Sequence, residues 1–133
     1  MIQRIQTLWL LLCAAMMALT FVFDPVEDLN LNSLLWGKLS WLICFHSTLF
    51  SLIALIRFKQ RAKQLKWCYI VLGLIVVEYA IMFFGSKTIY HTFSLSLLTI
   101  TAICPLAAFV FDFMAIRAIK ADEALVRSAD RLR

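Results

Sequence analysis

The sequence predicts an all-α protein, a four-span transmembrane helix bundle with a helical cytoplasmic C-terminal extension, on three observations. Its 133 residues are 63% hydrophobic and 16% charged, with a mean hydropathy of +0.88, and a water-soluble domain of that composition would expose far too much apolar surface. The apolar residues gather into four runs, each near the ~20 residues that a helix needs to cross ~30 Å of hydrocarbon. The basic residues are confined to alternate connections between those runs. No Pro-, Ser- or Gly-rich linker, repeat or low-complexity tract divides the chain, so residues 1–133 read as a single membrane domain.

The first span covers about 7–23 and is stopped by Asp24 and Pro25, because proline disfavours helix in the residue before it. The second covers about 39–56 and the third about 67–84. The fourth, about 92–116, is the longest and most polar, and Pro105 is expected to kink it by freeing the carbonyl of Thr101. A cytoplasmic tail, 117–133, follows. Arg4 before the first run mimics a secretory signal, but no small-residue cleavage site comes after it, and a retained signal anchor is the expectation.

Eleven of the thirteen Lys and Arg residues lie before the first span, between the second and third, or after the fourth; Lys38 and Lys87 are the other two. That bias places both termini on the cytoplasmic side of a bacterial inner membrane, with Asp24, Glu27 and Asp28 opposite. Topology and attraction to anionic lipid account for the net charge of +5, and nucleic acid is not an expected partner.

Glu78 stands in the middle of the third run, where a charge costs on the order of 2.5 kcal/mol or more to insert. His46, in the second span, lies at about the same distance from the outer membrane surface when counted from the ends of the apolar runs. The two form a candidate intramembrane polar pair, open to two readings: a clamp that fixes helix register, or a proton relay. Haem ligation is not expected, because His91, the other histidine, sits at the edge of the fourth span.

Asp112 lies near the inner end of the fourth predicted span, where Arg57, Arg117 and Arg4 are candidates to pair with it across the interface. The hydroxyls Ser47, Ser51, Ser94, Ser96, Thr99 and Thr101 either line a path or let helices approach closely and bond back to their own backbone. Cys13, Cys44, Cys68 and Cys104 fall one to each span without C-x-x-C spacing, so neither zinc nor disulfide exchange is expected and they read as small core residues. In the tail, Leu125, Ala129 and Leu132 share a helical face, while Glu123 with Arg127 and Arg127 with Asp130 have the spacing of helical ion pairs.

The two ends of the chain carry the most specific pattern. The opening MIQRIQTLWLLL and the closing ADEALVRSADRLR resemble the terminal signatures of a family of small four-helix membrane proteins from Bacteroidota, catalogued as a domain of unknown function, DUF4293. The resemblance implies four spans with cytoplasmic ends and supplies no activity. It implicates Gln3, Arg4, Gln6 and Thr7 at the start, and Asp122, Glu123, Arg127, Ser128, Asp130, Arg131 and Arg133 at the end. With both ends on one side, Gln3 or Arg4 is expected to meet Asp122 and Glu123, leaving Arg127, Arg131 and Arg133 for lipid phosphates or a protein partner.

Enzymatic activity is not expected: there is no Ser/His/Asp set, no metal-ligand cluster, no glycine-rich phosphate loop and no recognisable cofactor or small-molecule site. The expectation is an accessory or scaffold subunit of a larger inner-membrane complex, or a homo-oligomer, embedded in the lipid bilayer. The alternative is a small proton-coupled transporter using Glu78 and His46. Its acid would lie in the third span instead of the first, where the small multidrug exporters carry theirs.

Overall fold

The computed structural model describes residues 2–23, 31–89 and 95–131, with side chains described for 5–23, 35, 37–84 and 101–129. Four helices follow in order: α1 (Ile2–Phe23), α2 (Leu31–Ile56), α3 (Arg61–Ile89) and α4 (Leu95–Arg131). No strand occurs among the described residues. Each helix contains a stretch long and apolar enough to cross a membrane: Ile5–Phe23, Gly37–Ile56, Arg61–Phe84 and Thr101–Ala129.

The helices run alternately up and down. Trp9 stacks on Phe111 and Gln6 reaches Ala118, so numbers fall along α4 as they rise along α1. The same antiparallel register joins α1 to α2 through Leu10 with Ser51 and Phe21 with Trp41, and α2 to α3 through Ser40 with Glu78 and Phe50 with Trp67. It joins α3 to α4 through Arg61 with Asp122 and Tyr79 with Ala102, closing a ring of four. The α1–α4 seam is the most extensive. Both chain ends and the short α2–α3 corner therefore share one end of the bundle. At that corner the Arg57 N–H bonds the Ile53 carbonyl and the Gln64 N–H bonds the Gln60 carbonyl, so little chain is spent turning round.

A seven-residue pattern decides which face of each helix turns inward. Ser40, Cys44, Ser47, Ser51 and Ala54 are buried in α2, and Gln64, Cys68, Val71, Ile75 and Glu78 in α3, each advancing by alternating steps of three and four as in knobs-into-holes packing. In α4, Ala108, Asp112, Ala115, Ile119 and Asp122 continue the pattern. Small side chains dominate this inner stripe because, with lipid as apolar as leucine, helices associate by close approach and polar contacts. Bulky apolar residues such as Leu11, Val22, Ile56, Phe83 and Leu106 face outward.

Two helices overrun their apolar runs in ways that matter for the site. α2 begins at Leu31, eight residues before the predicted span, and α4 continues through Pro105 to Arg131 without a break. At 1.5 Å per residue α4 is about 55 Å long, well beyond the ~30 Å of a bilayer's hydrocarbon. Beside Pro105, which removes one ladder donor, the Tyr79 hydroxyl donates to the Ala102 carbonyl, the kind of neighbouring-helix contact that accommodates proline inside a span. The connections holding Asp24, Glu27 and Asp28 and His91 and Ser94 lie outside the described residues, as do Arg133 and the side chains of Gln3, Arg4, Ser96, Thr99, Asp130 and Arg131.

Candidate functional site

Glu78 occupies the inner stripe of α3 and is only 1% exposed. Across the α2–α3 seam the Ser40 hydroxyl, also buried, donates to its Oε1 at 2.5 Å. A serine reaches the carboxylate here because the stripe of α2 places residue 40 on the inner face at the same level as residue 78.

His46 is not brought to Glu78. Its ring is exposed, packs edge-on against Phe45 and Phe50, and has Nδ1 2.7 Å from the Leu42 carbonyl. Two physical reasons correct the expected pair. Position 46 is one residue, hence about 100° of helix rotation, away from the inward Ser47. Counting depth from the ends of the apolar runs also misses the eight residues by which α2 extends outward; the true register sets residue 40, not 46, opposite Glu78.

The expected pairing of Asp112 with Arg57 and Arg117 is likewise corrected. Asp112 is fully buried, whereas both arginines are exposed, and Arg57 points a guanidinium nitrogen at Gln60 Oε1. Arg117 follows Asp112 by five residues, about 140° round the helix, which puts it on another face. Because α4 extends far past residue 116, Asp112 is an interior residue about 15 Å along the helix from Asp122, not an interfacial one. Neither of its carboxyl oxygens is met by a hydroxyl, amide or basic donor among the described residues. The Cys68 thiol, a weak donor, is the polar group within bonding reach of it, and the Cys13 thiol lies close enough to interact electrostatically.

At the end carrying both termini, Asp122 is met by α3. Arg61 places Nη2 3.0 Å from Asp122 Oδ2, and its Nη1 donates to the Asp122 carbonyl. Glu123 pairs with Arg127 at 2.6 Å along the same helix. The contact found from the N-terminal motif is Gln6, whose Nε2 donates to the Ala118 carbonyl at 3.1 Å and whose side chain is buried; the expected contacts of Gln3 and Arg4 lie outside the described side chains. Ser40 and Arg61 were not singled out from the sequence for these contacts. The signal for Ser40 was its place in the Ser40, Cys44, Ser47, Ser51 spacing; Arg61 had none, since it stands in a cluster of cations that all look alike.

The interior thus carries two polar levels, Glu78 with Ser40 toward one end and Asp112 with Cys13, Cys68 and Ser51 nearer the other. No group of three or more His, Cys, Asp or Glu residues is placed to hold a metal ion among the described residues. No curated protein and no solved structure matches the chain. One family model matches residues 2–132, which takes in the described parts of all four helices and nearly all of both terminal motifs, and the chain belongs to that family, described as Domain of unknown function (DUF4293).

Proposed function

We propose that this small multi-pass membrane protein is an accessory or scaffold subunit of a larger inner-membrane assembly, without catalysis of its own. The observation that carries the reading is the overrun of α4. Past Asp122 the helix exposes Leu125 and Val126 beside Arg127, an apolar pair on a charged helix that Arg61 and Gln6 tie to the bundle as far as Asp122. The charge bias puts this projection and both termini in the cytoplasm, where a partner protein covers the apolar pair and takes the arginines. A second reading, a small proton-coupled transporter, is favoured by the burial of Glu78 and weakened by the exposure of His46.

The test is affinity purification from native membranes in mild detergent, comparing the full chain with one lacking residues 124–133. The subunit reading expects a stoichiometric partner with the full chain and its loss on truncation, while the four helices still insert. A full-length protein that purifies alone overturns it.

A further inference from the structure

We propose that Asp112 is the centre of an intramembrane proton-binding site, walled by Cys13, Ser47, Ser51 and Cys68, in which the carboxyl takes a single proton as its ligand. This goes beyond the subunit reading and does not depend on it.

The register puts these residues at one level. Gln6 with Ala118 and Trp9 with Phe111 set Cys13 of α1 beside Asp112 of α4. The Leu10–Ser51 bond and the Phe50–Trp67 contact carry the same level across α2 to Cys68 of α3. Asp112, Cys13, Ser47, Ser51 and Cys68 are each essentially fully buried. The hydroxyl of Ser47 lacks a hydrogen-bond partner among the described residues, and the oxygens of Asp112 meet no hydroxyl, amide or basic donor there, only the weakly donating Cys68 thiol. Interior polar groups left so are served by a small ligand or ordered water, because an uncompensated carboxylate inside a bundle is among the costliest arrangements a fold can hold.

The charge must be balanced by a cation, and the surroundings select which. Among the described side chains no basic group serves: Arg57 and Arg117 are exposed, Arg61 is committed to Asp122, and Lys120 lies over the Tyr69 ring. A hard metal cation wants about six oxygens, and the side chains at this level supply fewer: the two of Asp112 and the hydroxyl oxygens of Ser47 and Ser51. A soft cation would need the carboxyl and the two thiols gathered as ligands, which they are not. A proton needs one oxygen. The titratable groups facing Asp112 are Cys13 from α1 and Cys68 from α3; α2 presents only the hydroxyls of Ser47 and Ser51. Gln64, buried one turn from Cys68 with an unpartnered Oε1, makes the next polar step toward the Arg61–Asp122 end.

The test is infrared spectroscopy of the full chain in lipid bilayers. Wild type minus Asp112→Asn should show one carboxylic-acid C=O stretching band that shifts in D₂O and vanishes at alkaline pH, and Glu78→Gln should retain it. Ser47→Ala and Cys68→Ala should keep the band at an altered frequency. A folded Asp112→Asn protein whose spectrum matches wild type in this region at every pH overturns the proposal. So does a wild type stabilised by sodium ions when Asp112→Asn is not. Should Asp112→Asn fail to fold, an unmoved band in both the Ser47 and Cys68 variants overturns it instead.

Discussion

The hydroxyl of Ser40 donates to the carboxylate of Glu78 across the seam between α2 and α3, with both side chains buried. This contact fixes the register of the two helices, because a slip by one residue would turn both polar groups out of the inner stripe. Double-mutant analysis of unfolding in detergent should give Ser40 and Glu78 a coupling of about 0.5–2 kcal/mol. Glu78→Gln should cost less than Glu78→Leu, since the amide still accepts the serine proton whereas leucine strands it, a loss of roughly 1–3 kcal/mol. His46→Ala should show no coupling to Glu78; a coupling as large as that of Ser40 would reject the register.

What was legible in the sequence follows from which energies act locally. Four apolar runs make four helices because backbone groups in lipid have no other way to be satisfied, and the runs are visible residue by residue. Glu78 was legible as a buried acid for the same reason. Its partner was not, because pairing depends on where helices end outside the hydrocarbon, and Leu31 to Lys38 form helix without being strongly apolar. Asp112 was not legible as a core residue: the helical continuation past Ile116 was expected, but which face of α4 carries Asp112 depends on packing against α1 and α3, and that face turns it inward, away from Arg57 and Arg117. In α2, Ser47 and Ser51 are open from the sequence either to lining a path or to letting helices approach closely, and their spacing with Ser40 and Cys44 carries the face information.

Arg61 and Asp122 tie the first turn of α3 to α4, with side chains about a quarter and an eighth exposed. A partly buried pair of this kind should contribute on the order of 1 kcal/mol, more than a fully solvated one. Arg61→Ala should raise hydrogen exchange in the first turns of α3 while leaving the Glu78 level protected. The exchanged pair, Arg61→Asp with Asp122→Arg, should recover much of the loss. Equal exchange in wild type and Arg61→Ala would show the pair to be inert.

The bundle places the start of α1, the 57–60 corner and the end of α4 at the same end, and eleven of thirteen basic residues lie before residue 5, between 57 and 66, or after 116. Single-cysteine variants at 59, 88 and 129, made after the four native cysteines are replaced, should therefore label from two sides: 59 and 129 together, 88 from the other face. The positive-inside bias predicts the first two on the cytoplasmic side. Comparable labelling of each site from both faces would mean dual insertion.

Gly73 gives a way to ask whether the lipid-facing side of α3 is itself a docking surface. It is exposed, and a Cβ built on it would meet nothing within 4 Å. In the isolated protein Gly73→Ala should then be neutral or stabilising by up to about 1 kcal/mol, since it removes backbone freedom from a helix interior without creating a clash. Gly73→Leu should fold equally well. If partners dock on the projecting end of α4, Gly73→Leu should also co-purify with them at wild-type yield. A variant that is as stable as wild type but loses its partner would transfer the docking surface from the Leu125 and Val126 end to the middle of α3, because small residues matter most where another helix must come close.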